Sequence, residues 1–406
     1  MASTHVRPDD VRGYAQLAVD ATLRVTDLVE AIHQRIGQPA WLYGEREDRT
    51  LGITGLVYRS IREVAGAIGV GIDQAMQPLT ALLERMVADT ANTPEREALV
   101  AAINGVLGDH LEQRRNPLAL PMTLRHADRA LVLERDALAT AVAQPRNHLL
   151  ILVHGLCMND LQWSRQGYDH ADELALLLKA STLHLRYNSG RHISQNGRAF
   201  AEQLEQLVHA WPVRVERITL LVHSMGGLVA RSACHYGAQA GHRWLPRLRD
   251  LVFLGTPHHG APLERGGNHL QHAVGLIPFA GPLARLGMLR SAGVTDLRHG
   301  ALLDQDWQGR DRFADHHDTR LALPLPAGVR CFAAAATLGA ARGDLKDDLL
   351  GDGLVPVASA FGEHVDPARA LHLPEAQRAL FAASSHWDLL YRRDVGEQIQ
   401  RWLSHY

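Results

Sequence analysis

The chain has 406 residues, enough to bury a sizeable core as one large domain or two of ordinary size. Its 42 basic and 44 acidic residues nearly cancel, and no basic block offers the phosphate contacts of a nucleic-acid binder, which argues against that partner class. Three scattered cysteines, Cys157, Cys234 and Cys331, have neither metal-ligand spacing nor the pattern of a disulfide-built scaffold. The start MASTHVRPDDVRGYAQ lacks the basic and apolar parts of a secretory signal, and no stretch reaches the roughly 18 consecutive apolar residues of a membrane span. The expectation is a soluble cytoplasmic protein, with peripheral contact to a lipid or other hydrophobic surface left open.

Residues 1–120 read as a helical region without strands. Apolar residues recur at helical spacing from Val11 to Ile36, through Leu17, Ala21, Val25, Leu28 and Ile32, and Gly37 and Pro39 stop the run. Further helices fit from Leu56 to Ile68, from Ile72 to Val87 and from Pro94 to Arg114. The glycine-rich run REVAGAIGVGIDQA at 62–75 suits a tightly packed helix junction, with contact to a hydrophobic surface as the alternative. No catalytic cluster occurs in this region, and its role is open.

From His148 onward, short apolar runs alternate with helical stretches, the pattern of a mostly parallel sheet. Strands are expected at 148–153, 181–186, 216–222, 250–254 and 329–335, and helices at 170–179, 195–210 and 225–238. Residues 122–143 suit leading strands or a helix. The connection from Gly260 to Pro324 is too long for an ordinary link between strands. With its apolar LIPFAGPLARLGML and its histidine-rich DRFADHHDTR, it reads as a cap inserted at 261–324, over the strand ends where ligands of open parallel sheets bind. The expected architecture is therefore α/β, with a helical region at 1–120 and a sheet-bearing domain at 121–406.

The sharpest chemical signal is ITLLVHSMGGLVARSA, an apolar strand running directly into Ser224 and then into a helix. This is the context of a nucleophile elbow, where a strained strand-to-helix turn lifts a serine hydroxyl above the sheet. Val222 stands where such elbows usually carry their first glycine, while Gly226 and Gly227 permit close approach at the turn. A serine hydroxyl needs a base and a group to orient that base. His386, in ASSHWDLLYRR near the C-terminus, fits the base in the chain order nucleophile, acid, base. Asp352 in GDGLVPVASA fits the acid, because the glycines around it make a tight turn that presents one carboxylate; an Asx turn in a solvated loop is the bland alternative. Asp344, Asp347 and Asp348 are local competitors without such a turn. For the oxyanion, backbone N–H donors are expected at Met225 and in the loop LVHGLCMND, with Leu156 ahead of Cys157. A nucleophilic role for Cys157 fits its position less well.

With these pieces in order, residues 146–406 resemble the lipase and esterase branch of the α/β-hydrolases. Bacterial triacylglycerol lipases and the inositol-deacylating enzymes of lipid-anchor remodelling are the groups it is most similar to. The resemblance rests on HGL at 154–156, HSMGG at 223–227, TPHHG at 256–260, DGLVP at 352–356 and SHWDLL at 385–390. It implies an α/β-hydrolase fold with Ser224 as nucleophile, Asp352 as acid, His386 as base, and Leu156 and Met225 as oxyanion donors. It also implies an ester substrate, often acylated, and no cofactor.

The adjacent His258 and His259 suggest zinc, but no third ligand at short spacing accompanies them, so pocket-lining or structural roles fit better and no metal is expected. The expected function is carboxylic-ester hydrolysis through an acyl-enzyme, on small-molecule or lipid esters, with medium or long acyl chains favoured by the apolar cap. An acyltransferase using the same triad, and a non-catalytic interaction protein built on a hydrolase fold, are the alternatives.

Overall fold

A computed structural model describes parts of 9–20 and residues 94–404, apart from 165–166, 262–290, 311–319 and 340–350. The expected helices between 21 and 87, the glycine-rich run at 62–75 and the apolar stretch at 276–289 lie outside the described residues, as do DHHD at 315–318 and Asp344, Asp347 and Asp348. The chain divides into two compact units, one formed by Met1–Arg96 with Gln113–Leu118, the other by Glu97–Glu112 with Ala119–Tyr406. In the first, the buried Asp10 carboxylate accepts from both Nε and Nη2 of Arg96, each at 2.6 Å. Asn116 there donates to the Gly13 carbonyl at 3.1 Å.

The second unit holds an eight-stranded sheet in the order β2-β1-β4-β3-β5-β6-β7-β8. Its strands are β1 (Thr123–His126), β2 (Arg129–Ala130), β3 (His148–Val153), β4 (Ser181–Arg186), β5 (Arg217–His223), β6 (Leu248–Leu254), β7 (Arg330–Ala336) and β8 (Arg378–Phe381). Strands β3 to β8 pair in parallel, and β1 runs antiparallel to both of its neighbours. The open stretch 122–143 resolves into both alternatives, the β1–β2 hairpin and then a helix, α2 (Arg135–Ala141). The helix expected from Pro94 is α1 (Pro94–Gln113). The connections expected to be helical hold α3 (His170–Leu178), α4 (Ile193–Ala210) and α5 (Met225–Gln239). Within the expected cap, α6 spans Ala292–His299, and the chain closes with α7 (Arg393–Ser404).

The central strands are mainly apolar over their middles because helices cover both faces of the sheet. In β3 every residue is buried, and alternate side chains serve opposite layers. Leu149, Ile151 and Val153 join Phe200 and Leu204 of α4 and Leu228 of α5, while Leu150 and Leu152 join Leu174 of α3 and Val395 and Ile399 of α7. Truncating one such leucine to alanine typically costs about 2–5 kcal/mol. Two layers so anchored fix the carboxyl ends of β3, β5, β6, β7 and β8, and the loops that leave them carry the candidate site.

Candidate active site

Ser224 sits between β5 and α5 with φ 54° and ψ −126°, a conformation that side chains other than glycine rarely adopt. Holding it there costs on the order of 1–3 kcal/mol, and the surroundings impose it. The Ser224 N–H donates to the Leu254 carbonyl at 2.8 Å, and the Gly227 N–H reaches back to the Ser224 carbonyl at 3.0 Å. A Cβ on Gly226 would lie 2.5 Å from the Val153 carbonyl oxygen, and one on Gly227 would lie 2.1 Å from Thr256 Oγ1. Both glycines are therefore required by the approach of α5 to β3 and to the loop after β6. Val222 is fully buried in the layer that holds Val153 and Phe253, so the branched side chain at the elbow is absorbed into the core.

Asp352 and His386 lie 34 residues apart in sequence and meet through a 2.6 Å hydrogen bond from His386 Nδ1 to Asp352 Oδ2. Both are buried, at 3% exposure each. The other carboxylate oxygen, Oδ1, accepts from the N–H groups of Leu354 at 3.0 Å and Val355 at 2.8 Å. Asp352 thus makes the Asx turn and meets the imidazole at once, since the turn occupies one oxygen and leaves the second for His386. Gly351 and Gly353 at φ 51° and 97° make the bend. A backbone bond, from the His386 N–H to the Asp352 carbonyl at 3.1 Å, ties the two loops again. With Nδ1 donating to the carboxylate, Nε2 of a neutral His386 is left as a proton acceptor.

Two residues that hold His386 were not singled out in the sequence. Gly255, at the end of β6 with φ 58°, has no room for a side chain, because a Cβ there would stand 2.9 Å from His386 Cε1. His223 directs Nε2 at the His386 carbonyl at 3.2 Å, and burial, followed by the neighbouring His386, keeps it neutral by holding its pKa well below the usual histidine value. Periodicity hides both, since a strand-end glycine and a strand-end histidine look like ordinary turn and core residues.

The loop after β3 passes directly against Ser224, and a Cβ on Gly155 would lie 2.9 Å from Ser224 Cβ. His154 pins the start of this loop. Its ring stacks on Tyr187 at 4.4 Å and its carbonyl accepts from the Tyr187 hydroxyl at 2.8 Å. Burial lowers the His154 pKa to about 4, so the ring is neutral at neutral pH. Leu156 follows Gly155 and is half-buried against the core. Cys157, the second choice for oxyanion donor, already spends its N–H on Ser189 Oγ at 3.1 Å. Burial pushes the Cys157 thiol up to about 12, which leaves negligible thiolate. Met225 opens α5, so its N–H lies outside the helix's own hydrogen-bond ladder.

His258 and His259 form a clasp between loops. The N–H of His258 donates to the Ser359 carbonyl at 3.1 Å, and that of His259 to Ser359 Oγ at 3.2 Å. This joins the loop after β6 to the segment that follows Asp352. Burial lowers both imidazole pKa values, that of His259 to about 4. Among the described residues no three His, Cys, Asp or Glu side chains are grouped as a metal site would require.

A mostly parallel sheet, an elbow serine and helices on both faces define an α/β-hydrolase fold. Residues 145–324 match the family model of the PGAP1-like alpha/beta domain, a span that contains Ser224 and the loop after β3, while Asp352 and His386 lie beyond it. The chain accordingly has an α/β-hydrolase fold, related over residues 145–324 to PGAP1-like proteins. Among solved structures, it is similar to a Bacillus licheniformis lipase in mature form, at 19% identity over 64% of this chain and 95% of that one, with a TM-score of 0.41. Lipase B of Aspergillus fumigatus matches at 13% identity over 68% and 59% of the two chains, with a TM-score of 0.37. Phospholipase PlaB of Legionella pneumophila matches at 18% identity over 52% and 45%, with a TM-score of 0.34. No curated protein matches the chain significantly.

Proposed function

We propose that the chain is a serine-dependent carboxylic-ester hydrolase working through an acyl-enzyme. The observation that carries this reading is the buried 2.6 Å bond between His386 and Asp352, made at the strand ends that also hold Ser224 in its strained turn. In the proposed reaction, Ser224 Oγ attacks the ester carbonyl and His386 Nε2 takes the hydroxyl proton. Asp352 holds the tautomer and stabilises the imidazolium. The Leu156 and Met225 N–H groups face the developing oxyanion. The alcohol leaves with the proton from His386, and water, activated by the same base, releases the acid.

We favour medium or long acyl chains over acetyl, since each methylene buried from water contributes about 0.8 kcal/mol. Among the described residues no helix is long and apolar enough to cross a membrane. The deciding experiment is labelling of the full chain with an organophosphonate, followed by identification of the modified peptide and turnover of a p-nitrophenyl ester series. Modification at Ser224, abolished in Ser224→Ala, is expected. A folded protein that neither labels nor turns over any ester would overturn the reading in favour of a binding role for the fold.

A further inference from the structure

Helix α1 is mostly buried over its middle, with Val100, Ala101, Ala102, Ile103, Asn104, Gly105, Leu107 and Gly108 enclosed and Val106 half-buried. A helix on a protein surface would show one polar face. Its residues 97–112 belong to the compact unit of the sheet, and Glu97 is tied to it by an ion pair with the buried Arg186.

What α1 presses on is the loop after β3. A Cβ on Gly105 would fall 2.2 Å from Cys157 Sγ and 2.9 Å from both Cys157 Cα and N, so the helix backbone lies directly on that residue. Cys157 itself is at φ 59°, a conformation its surroundings must impose. The contact is held from two more directions. The Gly105 carbonyl accepts from Ser291 Oγ at 2.6 Å, just before α6. The loop after β4 supplies Ser189 Oγ, which accepts the Cys157 N–H, and Asn188, which donates to the Gly108 carbonyl at 2.9 Å. A Cβ on Gly190, in the same loop, would sit 2.1 Å from the Asn104 carbonyl oxygen. Helix and both loops therefore interlock through backbone, with no space for a side chain at the crossings.

We propose that α1 is a positioning element of the catalytic site, in which Gly105 pressed on Cys157, and Ser189 bonded to the Cys157 N–H, hold loop 154–157 so that the Leu156 N–H faces the developing oxyanion. This rests on the ester-hydrolase reading above. Negative charge grows on the carbonyl oxygen only in the transition state, so a displaced donor costs kcat and leaves substrate binding nearly unchanged. A methyl group at Gly105 must move Cys157 by several tenths of an ångström, because the nearest atoms include backbone. Misplacing a catalytic group by about an ångström costs on the order of a hundredfold.

The test uses the full chain and its p-nitrophenyl ester kinetics. Gly105→Ala is expected to lower kcat by about tenfold to a hundredfold, with KM within about threefold and an unshifted pH profile. Ser189→Ala should lower kcat in the same sense by less. Adding Cys157→Gly to Gly105→Ala removes the sulfur and relieves the left-handed backbone, and should restore part of the loss. Leu138→Ala, at a fully buried position on α2 away from these contacts, should lower Tm while leaving kcat per folded molecule unchanged. The proposal is overturned if folded Gly105→Ala keeps a kcat within about threefold of the parent, or loses activity only as its folded fraction falls. Should Gly105→Ala not fold, an unchanged kcat in Ser189→Ala overturns it alone. If the parent chain neither labels at Ser224 nor turns over esters, the ester-hydrolase reading falls and this proposal with it; an active parent beside an unimpaired Gly105→Ala removes only the role of α1.

Discussion

The two flanks of Ser224 are built by different means. Toward β6, β7 and β8 the site is assembled from directed side-chain hydrogen bonds in tight turns, with His386 bonded to Asp352, Asp352 accepting from the Val355 N–H, and Ser359 accepting from the His259 N–H. Toward β3 and β4 it is assembled from backbone, with Gly155, Gly105 and Gly190 marking contacts where no side chain fits. Under the proposed mechanism the first flank handles a proton and the second a developing charge. Damage on the first flank should therefore act through protonation and tautomer, and damage on the second through misplaced N–H groups.

Three substitutions break this comparison at different points. Ser224→Ala removes the atom both flanks serve, and should cut ester turnover by about a hundred-thousandfold or more while far-UV circular dichroism and Tm stay near those of the parent. Asp352→Asn keeps the turn-forming Oδ1 position but loses the carboxylate that fixes the imidazole tautomer. A loss of about a thousandfold to ten-thousandfold in kcat is expected, and turnover within tenfold of the parent would remove Asp352 from the acid role. Gly255→Ala is milder. The new methyl, 2.9 Å from His386 Cε1 on a backbone at φ 58°, must push the imidazole aside. A loss of about tenfold to a hundredfold, with a displaced pH–rate profile, is expected. That displaced profile is the mark of the proton-handling flank, since Gly105→Ala should leave the profile where it is.

The same division explains what was legible in the sequence. Strands of the parallel sheet stand out because burial on both faces makes them continuous apolar runs, and β3 and β4 begin and end where the pattern places them. Asp352 and His386 were readable because a carboxylate between two glycines and a histidine near the chain end are distinctive in type and order. β8 was not readable, since RALF is a four-residue strand and mostly half-buried. Gly105 was hidden for another reason. Inside an apolar helix it looks like a residue of low helix propensity, and its contact with Cys157 joins positions more than fifty residues apart. Backbone crossings leave no periodic trace, so the flank toward β3 and β4 was less visible than the flank toward β6 and β7.

The smallest effect concerns acid, and it separates the flanks by stability. His154 is buried beside the nucleophile loop with its pKa lowered from 6.5 to about 4 by desolvation. A histidine with a depressed folded-state value is neutral in the folded protein while the unfolded chain already binds a proton. Between the unfolded value and about 4, the unfolded state therefore holds more protons, and stability falls as the pH falls through that window. At about pH 5.5 the loss from this one group is about 1 kcal/mol, or roughly 1–2 °C in Tm for a chain of this size. His258 and His259, lowered for the same first reason, add acid sensitivity on the base flank. His154→Phe keeps a flat ring against Tyr187 and cannot titrate. It should be less stable than the parent at about pH 7.5, because the bond from its ring to the Gly155 carbonyl is gone, yet lose less Tm on going to about pH 5.5. Differential scanning calorimetry at the two pH values measures both slopes. Equal slopes would mean that His154 is protonated in the folded state well above its expected value, and that acid enters through the histidines of the opposite flank.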